Sequence, residues 1–279
     1  MEIISKLQFD EERALYNLTD ATVKECVFAG PADGESALKE SRNVEVEDCK
    51  FSLRYPLWHS HKFTLVRSSM DELTRAAIWY AQDGTITDST LGGIKAVREC
   101  QNINISKTDI VSAEFGWKSK GISLSESTIE SEYLFLDSQD IKLDKVKMNG
   151  KYSFQYVKNL SISDSNLDTK DAFWHAENVY VKDSVVKGEY LGWFSNGLTL
   201  ENCTIIGTQP LCYCNNLKLI NCTMQDTDLS FEYSDVEATV SGHIDSIKNP
   251  RSGKIICDSV GDIIRENSVM ECTGEVVIR

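Results

Sequence analysis

The chain has 279 residues, of which 41% are hydrophobic and 26% are charged, a composition typical of a globular protein and not of a disordered one. Its formal net charge of −14 argues against a concentrated basic surface, so we expect neither a nucleic acid nor an anionic membrane as a partner. No apolar run of roughly 18 residues occurs and residues 1–13 lack a signal-like pattern, which favours a soluble cytoplasmic protein.

One nine-residue pattern recurs along the chain: a corner residue, then apolar, variable, apolar, two variable, small, variable and apolar residues. Asn43–Phe51 shows it clearly. From Asp83 to Asp235 successive copies are spaced by 19 residues without exception, which indicates a solenoid of stacked coils. The twelve copies begin at Asp20, Asn43, Lys62, Asp83, Asn102, Gly121, Asp140, Asn159, Asn178, Gly197, Asn216 and Asp235.

We number the positions of each coil from its corner residue, and in the two longer coils the later positions are counted back from the next corner. The apolar residues at positions 2 and 4 alternate with polar ones, as in a strand with one buried face. Position 1 is Asn, Asp or Gly in eleven of the twelve copies, and these residues tolerate a left-handed corner. Position 7 is always Cys, Ser, Thr or Val, small enough to lie inside.

This pattern predicts an all-β fold, a single-stranded right-handed parallel β-helix of about twelve coils. A leucine-rich repeat would need a further Leu before the first apolar position, and this pattern lacks it. A left-handed hexapeptide helix would need a period that is a multiple of six residues, and 19 is not. The pattern therefore favours neither of these two folds. We expect one domain over 1–279, with coils at 20–253, an N-terminal cap at 1–19, and a partial coil and cap at 254–279. Two insertions interrupt the early coils, near Gly30–Glu35 and near Asp71–Arg75.

Particular stretches also resemble known proteins. The segments Gly197–Ile205 and Asn216–Met224 resemble coils of the pectin-lyase-like superfamily, and Ser52–His59, with the sequence SLRYPLWH, resembles a bacterial family known only as a domain of unknown function. The superfamily includes polysaccharide lyases, glycoside hydrolases, binding proteins and adhesins. The resemblance therefore implies a carbohydrate ligand without naming a reaction.

All five tryptophans fall at position 16 of their coils: Trp58, Trp79, Trp117, Trp174 and Trp193. Position 15 is mostly apolar, position 17 is aromatic or charged, and position 18 is small. A corner after position 15 would bury positions 15 and 18 and turn positions 16 and 17 outward, which avoids burying unpaired polar groups. We therefore predict that the indoles lie outside the core.

Outward rings beside polar side chains would form a surface on which sugars stack, so we expect an oligosaccharide or polysaccharide as partner. A structural alternative is that the stacked rings only stabilise the sheet. A third class is a scaffold that self-associates as a homo-oligomer. The predicted ligand-binding residues are Arg54, Trp58, His59, Trp79, Tyr80, Trp117, Trp174, His175 and Trp193.

Catalysis as a polysaccharide lyase or glycoside hydrolase is the main alternative to binding. Glu99 and Asp137 share position 17 two coils apart, roughly 9.6 Å by strand spacing, and Arg54 to Glu99 is the expected region. Asp171 is the obvious carboxylate partner for His175. The catalytic candidates are Arg98, Glu99, His59, His175 and Asp171, and we expect neither a metal nor a cofactor.

The nine cysteines include no zinc-type pairs of CxxC motifs. Cys26 and Cys49, like Cys203 and Cys222, occupy position 7 of adjacent coils. Such neighbours can approach disulfide geometry, but free cysteine is also among the most commonly buried side chains. In a cytoplasmic protein we expect reduced thiols in the core.

Overall fold

The computed structural model describes residues 2–279 of the chain. The protein is an all-β parallel β-solenoid of about 15 turns with a period of about 19 residues, and the described range contains no α-helix. It separates into two compact units, Met1–Lys142 and Leu143–Arg279. We describe each unit in turn.

The first unit contains short parallel strands and one short 3₁₀ helix, η1 (Glu72–Thr74). Its strands are β1 (Glu2–Ser5), β2 (Gln8–Phe9), β3 (Thr19–Lys24), β4 (Val27–Phe28), β5 (Arg42–Glu47), β6 (Lys50–Phe51), β7 (His61–Val66), β8 (Ser69–Met70), β9 (Ile78–Trp79), β10 (Gln82–Thr87), β11 (Thr90–Leu91), β12 (Val97–Arg98), β13 (Gln101–Ser106), β14 (Asp109–Val111), β15 (Lys120–Ser125) and β16 (Thr128–Ser131). The division between the units falls inside β17 (Gln139–Asp144).

The repeat pattern explains how these strands pair. In the register of β5 with β7, Val44 pairs with Phe63 and Val46 with Leu65, so positions 2 and 4 stack on their counterparts in the next coil. Each of these side chains is buried, whereas the position between them faces outward. Like residues therefore lie over like residues, and burying their apolar surface stabilises every pair of neighbouring coils.

Small polar residues at position 7 complete the interior hydrogen bonding. The backbone N–H of Cys49 donates to Ser68 Oγ over 3.0 Å, and the N–H of Ser68 donates to Ser89 Oγ over 3.1 Å. Each hydroxyl thus satisfies a buried backbone donor of the preceding coil. The prediction that position 7 holds a small, inward-facing residue is confirmed. Where this residue is serine, its hydroxyl group links one coil to the preceding one by a hydrogen bond.

The corners also follow the prediction. Asn43 and Asn102 have positive φ values of 54° and 55°, and their side-chain amides donate to Asp20 and Asp83 of the preceding coils over 2.6 and 3.0 Å. Asn and Asp tolerate this left-handed conformation better than other residues that carry a Cβ. The corner residues therefore form a polar ladder of their own along the first unit.

The two insertions are held by specific contacts. Arg54 lies 3.4 Å from Asp33 and 3.5 Å from Glu35, both in the first insertion. In the second insertion, Asp71 caps η1 by accepting the backbone N–H of Leu73 over 3.0 Å. Gly93 of the next coil has φ +90°, and a Cβ there would come within 2.6 Å of the Arg75 carbonyl, so only glycine allows this close approach.

The second unit repeats the same architecture. Its strands are β18 (Lys147–Gly150), β19 (Lys158–Ser163), β20 (Asn166–Asp168), β21 (Glu177–Lys182), β22 (Val185–Lys187), β23 (Asn196–Glu201), β24 (Thr204–Ile206), β25 (Leu217–Gln225), β26 (Asp235–Val240), β27 (His243–Lys248), β28 (Ser252–Cys257), β29 (Ser259–Ile264) and β30 (Glu275–Ile278). Leu160 pairs with Val179 in the register of β19 with β21, and Val179 pairs with Leu198 in that of β21 with β23.

The number of turns is about 15, so the prediction of about twelve was too low. Strands that lie outside the twelve copies also pair in parallel: β1 with β3, β2 with β4, β27 with β29, and β28 with β30. The N-terminal ones are less buried, as Ile3 with an exposed fraction of 71% shows, whereas β27 and β28 contribute fully buried residues such as Ile244 and Ile255. The repeat pattern fades at the exposed N-terminal end because less burial demands fewer apolar residues. At the C-terminal end the spacing changes, since Asp235 pairs with Ser252 only 17 residues later, so counting 19-residue copies misses these turns.

All nine cysteines are free thiols in this structure, and eight of them are buried. Burial raises the pKa of Cys49 and of Cys100 to about 12. A thiol with so high a pKa is protonated at neutral pH and is a poor nucleophile. The eight buried cysteines therefore act as small core residues.

Candidate functional site

The chain turns after position 15, as predicted. The side chains at positions 15 and 18 are buried, and the five indoles at position 16 are only partly buried and lie outside the core. The buried residues at these two positions are Leu57, Ile78, Val97, Phe135, Phe154, Phe173 and Leu211, and Ser60, Ala81, Cys100, Ser119, Ser138, Ala176 and Ser195.

Three of the five indoles are tied to the backbone of the following coil. In each case the indole N–H donates to a carbonyl sixteen residues later, and Gln155 at the same position does so with its amide over 3.3 Å. The indole bonds are Trp117 to Tyr133 (2.7 Å), Trp174 to Tyr190 (2.7 Å) and Trp193 to Gln209 (2.8 Å). We call this contact of an indole the indole bridge, and it joins the coil that carries the indole to the next coil.

Trp58 and Trp79 lack the indole bridge. The Nε1 atoms of both are buried and have no hydrogen-bond partner among the residues that the structure describes. Sixteen residues after Trp58 the chain has reached Thr74 of η1, whose carbonyl accepts the N–H of Tyr55 instead. Around Trp79 the chain forms the separate short sheet of β9 and β12. The bridge is thus absent where the backbone path is irregular.

Trp58 and Trp79 form a compact group with Tyr55, which we call the N-terminal aromatic cluster. The two indoles stack with centroids 5.6 Å apart and planes inclined by 14°. The Tyr55 ring meets them from the side, at 6.0 and 6.1 Å. Lys39 belongs to the coil next to that of Trp58, and its Nζ lies 4.0 Å from the Trp58 ring centroid. The faces of the Trp58 ring therefore contact a cation and a second indole.

A cavity of about 160 Å³ lies beside this cluster. Three of its lining side chains are cations, and no carboxylate is among them. Arg98 Nη1 is buried without a hydrogen-bond partner, although it lies 3.7 Å from Glu114. The cavity is lined by Tyr55, Arg75, Ala76, Trp79, Ile94, Lys95 and Arg98.

Two carboxylates, Glu99 and Glu114, are paired with cations of the cavity. Arg98 Nε donates to Glu99 over 3.1 Å, and Lys95 lies 3.5 Å from Glu114. Arg75 is exposed and has no ion pair within residues 2–279. Two of the three cations are therefore compensated by neighbouring carboxylates, and Arg75 is not.

His59, Tyr80 and Glu99 lie in succession at position 17 of their coils. His59 Nδ1 is 3.8 Å from Glu40, and its ring centroid is 5.1 Å from that of Tyr80. The interaction of Tyr80 with Glu99 raises the pKa of Tyr80. Glu99 also accepts a hydrogen bond from Arg98, so the Glu99 carboxylate interacts with both neighbouring candidates.

The second unit carries a longer and more regular set of rings. Trp174 and Trp193 stack at 5.6 Å with planes inclined by 8°. Beside them, His175 lies between Tyr156 and Phe194, with both centroid distances 5.0 Å. We call these five rings the C-terminal aromatic ladder. Their faces are turned toward one another, so they present mainly their edges to solvent.

Asp171 lies near this ladder but does not pair with His175. Its residue is buried, with an exposed fraction of 6%, and desolvation raises its pKa. No ion pair joins Asp171 to His175 within residues 2–279. The carboxylate–imidazole partnership predicted from the sequence is therefore not formed, because the His175 ring is held between its aromatic neighbours.

The structure brings together most of the residues predicted for the first unit and adds others. Arg54 lies against the first insertion, whereas Trp79 and Arg98 line the cavity and Trp58 stacks beside it. Sequence reasoning missed four residues that line the cavity or contact the N-terminal aromatic cluster. Three of them had a sequence feature that could have identified them: the SLRYPLWH stretch for Tyr55, the second insertion for Arg75, and position 16 for Lys39. No sequence feature marked Lys95.

Neither a metal-binding group of side chains nor a membrane-spanning helix is found in residues 2–279. Across that range no group of three or more His, Cys, Asp or Glu side chains is arranged to hold a metal ion. No helix in it is long and apolar enough to cross a membrane.

The chain is similar to one known protein family and to several solved structures. A family model described as a protein of unknown function, DUF3737, matches residues 2–278. No curated protein matches the chain. Among solved structures, it is similar to PfbA, a surface adhesin of Streptococcus pneumoniae, with 12% identity, a TM-score of 0.36, and coverage of 86% of this chain and 72% of the other.

Two further solved structures are similar to a comparable degree. For the A-module of the mannuronan C-5 epimerase AlgE4 of Azotobacter vinelandii, the identity is 12% and the TM-score 0.31, with 98% of this chain and 88% of the other covered. For the catalytic domain of a GH87 α-1,3-glucanase, the identity is 8% and the TM-score 0.33, with 99% and 63% covered.

Proposed function

Because the chain belongs to the DUF3737 family, whose description names no activity, we propose from the site itself that the protein binds carbohydrate at the cavity beside Trp79. The proposal places the ligand in the first unit, against the N-terminal aromatic cluster and Arg98. It does not require catalysis.

The observation that carries this proposal is the set of hydrogen-bond donors without partners. Within the described residues, five buried side-chain atoms lack a partner, and four of them belong to Arg54, Trp58, Trp79 and Arg98. Leaving a buried donor unsatisfied costs about 1–3 kcal/mol. Saccharide hydroxyl and ring oxygens are acceptors, so a bound sugar would supply what the protein leaves unpaired at Trp79 and Arg98.

The rings shape how a sugar would make contact. Trp58 contacts Lys39 and Trp79 through its faces, so face-on stacking of a sugar on this indole is blocked. Tyr55, Trp79 and Ile94 still line the cavity and offer apolar surface to the C–H groups of a sugar ring. We therefore propose binding through indole N–H groups and ring edges rather than through a stacking platform.

The test is a glycan array followed by fluorescence titration of the best binder. Trp79→Phe keeps an aromatic ring but removes the N–H, and we expect it to weaken binding about tenfold, the equivalent of one hydrogen bond of roughly 1.4 kcal/mol. Trp193→Phe is the matched control, because it makes the same chemical change in the C-terminal aromatic ladder and should leave the affinity unchanged.

Two results would overturn the proposal. One is an array without any binder together with tryptophan fluorescence that no saccharide alters. The other is equal affinity in the wild type and in Trp79→Phe, because the unpartnered donor would then play no part in binding.

A further inference from the structure

We propose that the saccharide recognised here carries a single acidic group, which lies against Arg75, Lys95 and Arg98. This inference rests on the proposed function and specifies its ligand class. It arises from the charges around the cavity, which differ from those of the protein as a whole.

The cavity wall is cationic in an acidic protein. The chain has a formal net charge of −14, but the charged side chains that line this cavity are two arginines and one lysine. Arg98 is the most enclosed of them, with a side-chain exposed fraction of 19%. Cations gathered at the wall of a small cavity lower the free energy of an anion bound inside it.

The balance of nearby charges indicates how many anionic groups the site accepts. Glu99 and Glu114 offset two of the three cations through the ion pairs with Arg98 and Lys95. One positive charge remains, that of Arg75. A ligand with one acidic group completes the balance, whereas each further acidic group would meet carboxylates.

The surroundings of the cavity act against polyanions. Asp71 and Glu72 belong to the insertion that ends at Arg75, which lines the cavity. They precede Arg75 by only four and three residues, so an acidic chain that extends past Arg75 would meet them at distances where like charges still repel. A polymer of acidic sugars would therefore lose at its outer residues what it gains at the cavity.

The size of the cavity points the same way. Its volume of about 160 Å³ is roughly half the lower limit of about 300 Å³ that is usual for pockets of drug-sized ligands. It therefore accommodates one sugar ring or its charged substituent. Guanidinium groups bind carboxylate and sulfate esters alike through paired N–H donors, so the shared chemistry is one compact oxyanion on a sugar.

The experiment is a titration of the full chain with matched sugars. The probes are the methyl glycosides of glucose, galactose and mannose, their uronic acid counterparts, their 6-sulfates, and polygalacturonate. We expect at least one singly charged probe to bind ten or more times tighter than its neutral parent, with affinity that falls as salt is added. The uronate and sulfate arms show which oxyanion is preferred.

Variants assign the effect to the cavity. Arg75→Gln should remove most of the difference between charged and neutral probes while retaining binding of the neutral sugar. Arg67→Gln is the control, because Arg67 is an exposed arginine of the same unit that binds Asp48 and does not line the cavity. It should leave the difference unchanged.

The outcomes separate this inference from the proposed function. Equal affinity for neutral and charged sugars would overturn the single acidic group and leave carbohydrate binding standing. Tighter binding of polygalacturonate per sugar residue than of any single uronate would also overturn it. If no probe binds at all, both proposals fail.

Discussion

The two stacked tryptophan pairs of this protein occupy the same coil position and differ in one hydrogen bond per indole. Trp58 and Trp79 stack at 5.6 Å, and so do Trp174 and Trp193. In the second pair each indole N–H donates to a backbone carbonyl, whereas in the first pair neither does among the residues described. Ring stacking alone therefore does not distinguish a structural pair from a candidate binding pair.

The difference lies in the coils around each pair. Near Trp174 and Trp193 the coils keep the 19-residue period, and the carbonyl sixteen residues on lies within reach of the indole. After Trp58 the chain contains two extra residues and η1. The carbonyl sixteen residues on, that of Thr74, therefore accepts the backbone N–H of Tyr55 instead of the indole N–H. A small insertion into a regular repeat thus frees polar groups that the repeat would otherwise use within the fold.

The largest effect on stability should come from removing an indole bridge. Trp193→Phe leaves the Gln209 carbonyl without its indole partner, and we expect the free energy of unfolding to fall by about 1–2 kcal/mol more than in Trp58→Phe. Both changes remove the same atoms, so the loss of ring area is matched. Denaturant unfolding of both variants measures the difference.

Equal losses in these two variants would show that the bridge contributes nothing. A larger loss for Trp58→Phe would reverse the comparison and identify the N-terminal aromatic cluster as the structural one.

A smaller effect should follow from removing the cation over Trp58. Lys39→Met keeps the length of the side chain and removes the charge 4.0 Å from the ring, which should cost about 0.5–1 kcal/mol and alter the tryptophan emission. Lys50→Met, at an exposed lysine of the same unit, is the control and should change neither property. Unchanged stability and emission in Lys39→Met would mean that Lys39 only covers the ring.

The smallest effect concerns Asp171 beside the C-terminal aromatic ladder. Desolvation raises its folded-state pKa above 3.8, so the folded protein holds this proton more tightly than the unfolded chain does. The penalty for ionising it is complete above the folded pKa and disappears below about 3.8. Asp171→Asn should therefore raise the melting temperature slightly at pH 7 and leave it unchanged near pH 3.

Asp48 supplies a comparison of opposite sign for that experiment. Its hydrogen bonds from Arg67 lower its pKa, so its contribution to stability is present above about pH 3.8 and is lost as the pH falls through the folded value. Asp48→Asn should thus lower the melting temperature at pH 7. A loss of stability in Asp171→Asn at pH 7 would contradict the assigned cause of its pKa shift.

Much of the fold could be predicted because every coil repeats the same demands. The corners at Asn43 and Asn102, the buried position 7 of Cys49, and the outward turn of Trp117 all followed from columns of like residues. The resemblance to a family of unknown function is confirmed by the family model over residues 2–278. The number of turns was underestimated because the N-terminal turn is largely exposed and the C-terminal strands depart from the 19-residue spacing.

The candidate site was only partly predictable. The sequence indicated the region of Trp58, Trp79 and Arg98, because rings and charges share positions there. It did not reveal that Tyr55 and Arg75 line the same cavity, since both belong to irregular coils in which spacing no longer reports position. The expected pairing of Asp171 with His175 failed for a related reason, because sequence proximity does not describe how a ring is held by its neighbours.

By itself, the amino-acid sequence determined the stacking of coils, which residues face inward, and the alignment of the indoles at one position. Periodicity carries that information because burial of like residues over like must repeat at every turn. Only the tertiary structure decided which indoles find a carbonyl and where three cations meet beside an open volume. Those outcomes depend on distances of a few tenths of an ångström between separate coils, which no pattern along one chain records.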